Sequence, residues 1–379
     1  MALSLPQMQT LVSLLRSSAP DARAQGRELM GVLTEDDVRA TMSTVGNLSG
    51  CDLSELRLAG LSFRGHNLKN TDLSGTDLAC SDFFRAHLAG ANLTGADLTR
   101  TDFTEADLRR VCFRQADLSD TRLTNARLHA ADLSGADLTG ADLTGLTGLG
   151  INLTAAILTN ADLSGADLRA SALQPTSLHQ ARMAGANLTD ARLQHARLTE
   201  IHGHRLRLVG ARLNHADLRS SDLKGADLTR AHLVRAQIDG LNLAGAVARW
   251  AKLFHLETEG LSGEGIDLMW ANLTVCRLPG ARLKGACLHN AILHDVDLSG
   301  ADLSGADLRG AKLWLGRLSG ADLSGADLRG MELSFGRLDG ASLRGADLRG
   351  TFLGCYSHDD VDLTDARIDD NTRLHPPRD

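Results

Sequence analysis

Aromatic residues are scarce in this 379-residue chain, at 3% of the total, with three Trp and one Tyr. A globular core of this length would normally draw on more of them. Proline is also rare, with six residues, and cysteine occurs six times with no C-x-x-C pair. Cys51, Cys80, Cys112, Cys276, Cys287 and Cys355 are scattered, which excludes a disulfide framework and a cysteine metal site. Apolar runs stay well short of the roughly 20 residues that a membrane helix needs. Residues 1–18 are partly apolar but lack a basic leader, so no signal peptide is expected, and the cytoplasm is the expected location. Glycine shows no third-residue period, which excludes collagen. Hydrophobic residues at 43% against charged residues at 23% exclude a disordered chain.

What the chain has is one short period. From 46 to 370 it divides into 65 five-residue units, and the frame never slips. Ala91-Asn92-Leu93-Thr94-Gly95 and Ala96-Asp97-Leu98-Thr99-Arg100 are typical. The third position is Leu, Phe, Met or Ile in 59 of the 65 units, and 29 of the 38 glycines occupy the fifth. Such spacing fits neither a 3.6-residue helix nor a period-2 strand. It fits a chain that turns a corner every five residues. The third residue then points inward, and so does a small first residue, usually Ala. The other three face solvent, and fifth-position Gly supplies a positive φ at the turn. Cys51 and Cys276 fall at small, buried positions.

A longer period sets the circuit. Residues 311–330 read AKLWLGRLSGADLSGADLRG, and 331–350 read MELSFGRLDGASLRGADLRG. Gly316 and Gly336 are 20 apart, as are Phe63, Phe83 and Phe103. Four units therefore make one coil, and like residues stack about 4.8 Å apart. The repeat region gives about 16 coils, or roughly 75–80 Å at that spacing.

The A(D/N)Lxx signature, repeated in frame over most of the chain, resembles that of pentapeptide-repeat proteins. The resemblance implies an all-β solenoid, a right-handed quadrilateral β-helix of about 16 coils of four pentapeptides, similar in width to B-form DNA. Three segments are expected: an N-terminal α-helical cap at 1–45, the β-helix at 46–370 and a C-terminal tail at 371–379. In the cap, Met8, Leu11, Val12 and Leu15 form one apolar stripe. Asp21 is expected to cap a second helix reaching Leu33, and Thr34, with Asp37, a third. Asn371 is where the chain leaves the repeat, and Pro376 and Pro377 preclude further pairing.

Six units depart from the third-position rule, at Gly148, Gly203, Ala248, Thr258, Gly263 and His358. Large first-position residues, Leu146, Ile201 and Leu261, stand two before the three glycines and suggest volume exchange within one unit. A continuous coil is expected at 146–150 and 201–205, with 256–265 the best candidate for a projecting loop.

Catalytic chemistry finds no support. Neither a G-x-x-x-x-G-K-[ST] nor a G-x-S-x-G motif occurs, and Gly260, Gly263 and Gly265 have no adjoining helix or Lys to hold a phosphate. The N-x-[ST] matches are by-products of the repeat. His195, His215 and His255 share one column, but zinc needs about four converging ligands. His202 and His204 read as solvated side chains. No enzyme, cofactor or metal is expected.

The chain carries a formal charge of −7. By the 20-residue period, the units starting at 56, 76 and 96 share the most acidic face, which includes Asp117, Asp120, Asp137, Glu257, Glu259, Asp359 and Asp360. Much of the acidity is repeat composition, since 24 second positions are Asp. Arg309, Arg329 and Arg349 stack beside Asp307, Asp327 and Asp347 as a mutually neutralising column. All three tryptophans point outward. Trp250 and Trp270 share a column, with Phe254, Trp314 and Phe335 on the next face, which marks a partner surface.

Two functions follow. The chain resembles the Qnr and MfpA groups, whose acidic rods act on DNA gyrase in place of DNA and relate to resistance against topoisomerase poisons. That likeness implies DNA gyrase or topoisomerase IV as partner. Alternatively, the chain is a non-catalytic scaffold, whether effector, regulator or self-association module, acting through the aromatic patch. Direct nucleic-acid binding is disfavoured by the net negative surface, and membrane association by the absence of a spanning segment. Related rods pair through one end, which implies a homodimer of that kind.

Overall fold

The computed structural model describes residues 3–357 and 359–375, so His358, Pro376 and Pro377 lie outside the described residues. The chain divides into two compact units, Met1–Asn187 and Leu188–Asp379.

The first unit opens with α1 (Leu5–Arg16), α2 (Pro20–Gly31) and α3 (Glu35–Thr44). The expected stripe of α1 is buried: Met8, Leu11, Val12 and Leu15. Thr34 caps α3, accepting the Asp37 N–H at 3.2 Å. Asp21 does not cap α2. The N-cap is Ala19, Pro20 opens the helix, and Asp21 lies within the first turn. Proline explains the shift: it lacks an N–H, so it sits readily where the first-turn amides are unpaired in any case. The helices then meet the solenoid. Asp52 N–H donates to the Leu15 carbonyl at 2.7 Å, and Arg16 Nε and Nη2 donate to the Ser49 and Asn47 carbonyls. Arg27 pairs with Asp52, and a His66 ring nitrogen lies 2.9 Å from the Met42 carbonyl.

Beyond the helices, second-position residues pair in parallel with residues 20 further on. The series runs from Asn47–Asn67 to Asp167–Asn187 in the first unit, and from Arg192–Arg212 to Asp347–Arg367 in the second. Third-position amides donate to the carbonyl 19 residues ahead (Leu48 to Asn67, 2.8 Å), as do fifth-position amides (Gly50 to Lys69, 2.9 Å). Corners close when a first-position amide donates to the third-position carbonyl before it, as from Cys51 to Leu48 at 3.1 Å. A positive φ at the third residue of such a turn is type II geometry. All 29 fifth-position glycines take it, and so do 33 non-glycine residues at the same position. Pro175, whose ring holds φ near −65°, is an exception.

Inside each unit the core is a stack of like residues. Phe63, Phe83 and Phe103 stack at 4.8 and 4.9 Å between ring centroids and are fully buried. Cys51 and Cys276 are buried as expected. Second positions correct the expectation of solvent. Many are half-buried, and Asp52 and Asp107 are buried. Their side chains cap the turn: Asp72 Oδ1 accepts both the Ser74 N–H (3.1 Å) and the Ser74 hydroxyl (2.7 Å). Asp is frequent there because it closes an Asx turn two residues on.

No loop leaves the frame at the glycine units. The ladder runs through Gly148 (to Asp167, 2.7 Å), Gly203 (to Asp222, 2.8 Å) and Gly263 (to Arg282, 2.9 Å). At Gly148 the expected Leu146 of the same unit does reach the gap, but at all three glycines the residue three places on fills it too: Ile151, Leu206 and Ile266, joined by Leu223 at Gly203 and Leu283 at Gly263. A third residue and the first residue after it flank one turn, so their side chains converge.

In the second unit, β1 (Lys312–Trp314), β2 (Glu332–Arg337), β3 (Phe352–Ser357) and β4 (Arg373–His375) form a parallel sheet in that order. Past Asn371, where the chain is expected to leave the repeat, β4 still pairs with β3. Arg373 pairs with Phe352, 21 residues back, one residue out of period.

Candidate protein-interaction surfaces

The acidic residues follow from the turn chemistry. In the first unit Asp77, Asp97, Asp117 and Asp137 pair in succession and form a carboxylate ladder. Each Oδ1 is engaged by the amide two residues on, for Asp117 by Ser119 N–H at 3.0 Å and for Asp137 by Thr139 N–H at 2.9 Å. Neither Asp117, Asp120 nor Asp137 makes an ion pair among the described residues. Asp117 and Asp120 are exposed, and Asp137 is half-buried. In the second unit Glu257 and Glu259 are exposed and line one groove. Glu257 pairs with Arg277, which is followed by Asp297 and Arg317, so charge of both signs alternates there. Asp359 and Asp360 are exposed, and the Asp359 N–H reaches Asp339 Oδ1 at 3.4 Å.

Other carboxylates are neutralised by the fourth residue of their own unit. Arg109, Arg169, Arg219, Arg309, Arg329 and Arg349 each grip the Asp two residues earlier through Nε and Nη2. Bidentate pairs of this kind are the stronger ones. The Arg349 guanidinium holds the Asp347 carboxyl down to about 2. Asp107, Asp167, Asp217, Asp307 and Asp327 are lowered by the same contact from their own arginines.

Trp250 and Trp270 stack with 5.0 Å between centroids and 3° between planes, at 52% and 42% exposure. His289 meets Trp270 edge-on, and Arg249 Nε donates to Asp267 beside the pair at 2.6 Å. Both tryptophans take φ of +60° at fifth positions, where a bulky side chain is strained. Trp314 is 51% exposed at the end of β1 and meets His294 edge-on, while Phe335 is 40% exposed on β2. Phe254 is half-buried. Leu315 and Phe352 are also exposed, both at 37%, and were missed in the sequence. Their signal was a break in the repeat: Leu315 stands where Gly is usual, and Phe352 where Asp is usual.

The histidine column is real between His195 and His215, whose rings stack at 5.1 Å. No metal-binding group of His, Cys, Asp and Glu occurs among the described residues. His204 contacts Asp222 at 2.9 Å.

The family of pentapeptide repeats matches the chain in overlapping stretches: 47–79, 81–120, 113–145, 149–183, 170–202, 211–247, 266–305, 276–314, 301–334 and 317–353. Residues 203–210 and 248–265 fall between matched stretches. Comparison with curated proteins finds no match. Similar solved structures include a pentapeptide repeat protein from the Arabidopsis thaliana thylakoid lumen, 36% identical over 24% of this chain and 68% of that one, with a TM-score of 0.22. HetL, involved in heterocyst differentiation regulation in the cyanobacterium Nostoc, is 31% identical over 69% of this chain and 93% of its own, with a TM-score of 0.15. QnrB1, a plasmid-mediated fluoroquinolone resistance protein, is 20% identical over 60% of this chain and 91% of its own, with a TM-score of 0.21. These superpositions are loose, and the assignment rests on the sequence match. With well over half of its length matched repeat by repeat, the chain belongs to the pentapeptide-repeat family, whose fold is a right-handed β-helical solenoid.

Proposed function

We propose that this protein is a non-catalytic, cytoplasmic binding protein that presents carboxylates to a type II topoisomerase, DNA gyrase or topoisomerase IV, in place of DNA phosphates, and so protects the enzyme from its poisons. The ladder Asp77–Asp97–Asp117–Asp137 carries the reading, because its carboxylates are regularly spaced and make no ion pair among the described residues. Its charge density is modest. One rung every ~4.8 Å compares with one phosphate per ~1.7 Å of duplex, so binding through it is weak and salt-sensitive. The same reading takes 1–45 as a cap over the solenoid edge, 46–370 as about 16 coils, 371–379 as the tail, and one end as a homodimer contact.

The test is gyrase supercoiling and poison-induced DNA cleavage, with protein titrated against a variant carrying Asp97→Asn, Asp117→Asn and Asp137→Asn. Asn keeps the turn, as Asn92 shows by accepting the Thr94 N–H at 3.2 Å. Protection that weakens in the variant supports the reading. No effect on gyrase or topoisomerase IV at high excess rejects it.

A second reading, a scaffold that binds another protein through Trp250 and Trp270, is favoured by one observation. Two exposed tryptophans occupy strained corners where glycine is usual. Binding of that kind resists salt and is lost with Trp250→Gly.

A further inference from the structure

The same side of four successive coils in the second unit, at 191–195, 211–215, 231–235 and 251–255, reads ARLQH, ARLNH, AHLVR and AKLFH and contains no Asp or Glu. Its second residues pair directly: Arg192 with Arg212, Arg212 with His232, and His232 with Lys252. Each coil carries one full cation here, Arg192, Arg212, Arg235 and Lys252 in turn, and all four are exposed. None of them makes an ion pair among the described residues.

The row works against the fold. Like charges set opposite each other on neighbouring strands are destabilising. Arg and Lys also have no acceptor, so they cannot cap the turn as Asp72 does. His232 registers the crowding: burial pushes its imidazole down from the ordinary value, and the charges of Lys252 and Arg212 push the same way. A costly local choice, repeated in register, marks a surface kept for a ligand. Rings accompany the charge. His195 and His215 are exposed and stack with 5.1 Å between centroids. Phe254, half-buried, stands two residues after Lys252, and Trp250, 52% exposed, stands two before it.

We propose that this side of the second unit binds single-stranded nucleic acid, with the cations meeting phosphates and the rings meeting bases. One cation per coil, every ~4.8 Å, approaches the one phosphate per ~3.4 Å of a single strand. Exposed His, Phe and Trp rings are stacking surfaces for unpaired bases, which a duplex keeps inside. An acidic protein segment would use the charges and leave the rings without a role. The net charge of −7 hides the row, because it sums a side without acids and sides rich in them. The site shares no residue with the carboxylate ladder, so its failure leaves the proposed function standing.

The probe is fluorescein-labelled oligothymidylate of about 20 nucleotides, titrated with the full chain and followed by anisotropy, with a duplex of the same length and poly-glutamate as competitors. Saturable binding is expected, weakened about 20- to 50-fold between about 0.05 and 0.2 M salt, as roughly three or four phosphate contacts dictate. Arg192→Glu with Arg212→Glu and Lys252→Glu lowers affinity at least about tenfold. A control of equal charge, Arg282→Glu with Lys284→Glu and Arg344→Glu, alters exposed cations on another side of the coil and changes affinity less than about threefold. Arg192→Gln with Arg212→Gln and Lys252→Gln separates binding from folding: affinity falls while Tm holds or rises, since a like-charge row is relieved. The proposal fails if the oligonucleotide does not bind at the lower salt, or if the two Glu variants bind it alike. It also fails if duplex or poly-glutamate displaces the probe at lower concentration than unlabelled oligothymidylate does, the latter result assigning the row to an acidic protein.

Discussion

At the residue scale, the fifth position shows how far a repeat can override local preference. Left-handed backbone costs a non-glycine residue about 1–2 kcal/mol, yet 33 such residues accept it. Many are held by ladder bonds beside the turn, as Trp250 is by its N–H to the Met269 carbonyl at 3.1 Å. For Trp250 that strain opposes the stacking with Trp270, worth about 0.5–1.5 kcal/mol. Trp250→Gly should therefore leave stability unchanged or raise it by up to about 1 kcal/mol, checked by chemical denaturation. A drop of more than that would mean the tryptophan serves the fold. The Asp-x-Arg pairs predict an acid limb. Asp347 is held at about 2 by Arg349, below the ordinary value of 3.8. A depressed carboxyl contributes stability above its unfolded value, lost as pH falls through the folded one. Melting temperature should hold down to about pH 4 and fall between about 4 and 2, with a shallower fall in Asp307→Asn, Asp327→Asn, Asp347→Asn. Thiols report the same frame. Burial pushes Cys276 and Cys355 up to about 12, while Cys80 is exposed. An aromatic disulfide reagent at pH 8 should label Cys80 first and Cys276 and Cys355 only after denaturation.

At the scale of the element, the third residue and the first residue after it act as one filling unit. Gly203 shows this, because Leu206 and Leu223 occupy the space a side chain would need. Gly203→Leu should cost about 1–3 kcal/mol by overpacking, and adding Leu206→Ala should recover part of it. Denaturant unfolding of both variants checks the coupling, and equal losses would refute it. Similar pairing explains Gly336, whose nearest side chain is Leu333, three residues earlier. The helical segment was legible where a hydroxyl stood alone at the start, as at Thr34. It was misread at Asp21, because Pro20 set the first turn two residues earlier. β4 was illegible, since Arg373-Leu374-His375 lacks the five-residue signature and joins the sheet one residue out of period.

For the molecule as a whole, a net charge of −7 says little by itself. Six bidentate Asp-x-Arg pairs cancel part of the acidity, and Arg277 and Arg317 interrupt it in the second unit. Among the carboxylates without an ion pair, Asp77 to Asp137 form one continuous column. Raising ionic strength from about 0.05 to 0.3 M should weaken partner binding through that ladder severalfold, and leave binding through Trp250 and Trp270 nearly unchanged. A pull-down at both salt concentrations separates the two.

The sequence by itself determined the frame, the 20-residue circuit, the buried third and first positions and the outward tryptophans. Each follows from a period too regular to be met by another chain path. Only the tertiary structure decided which side chain fills each glycine gap, because convergence across a turn is not visible in spacing. Tertiary structure alone also showed that second-position carboxylates are turn caps, paired by an Arg two places on, as Asp347 is, or by one of a neighbouring coil, as Asp267 is by Arg249. The missing ladder bond of the Ile238 amide belongs to the same class, because the five-residue frame passes through 256–260 without a slip.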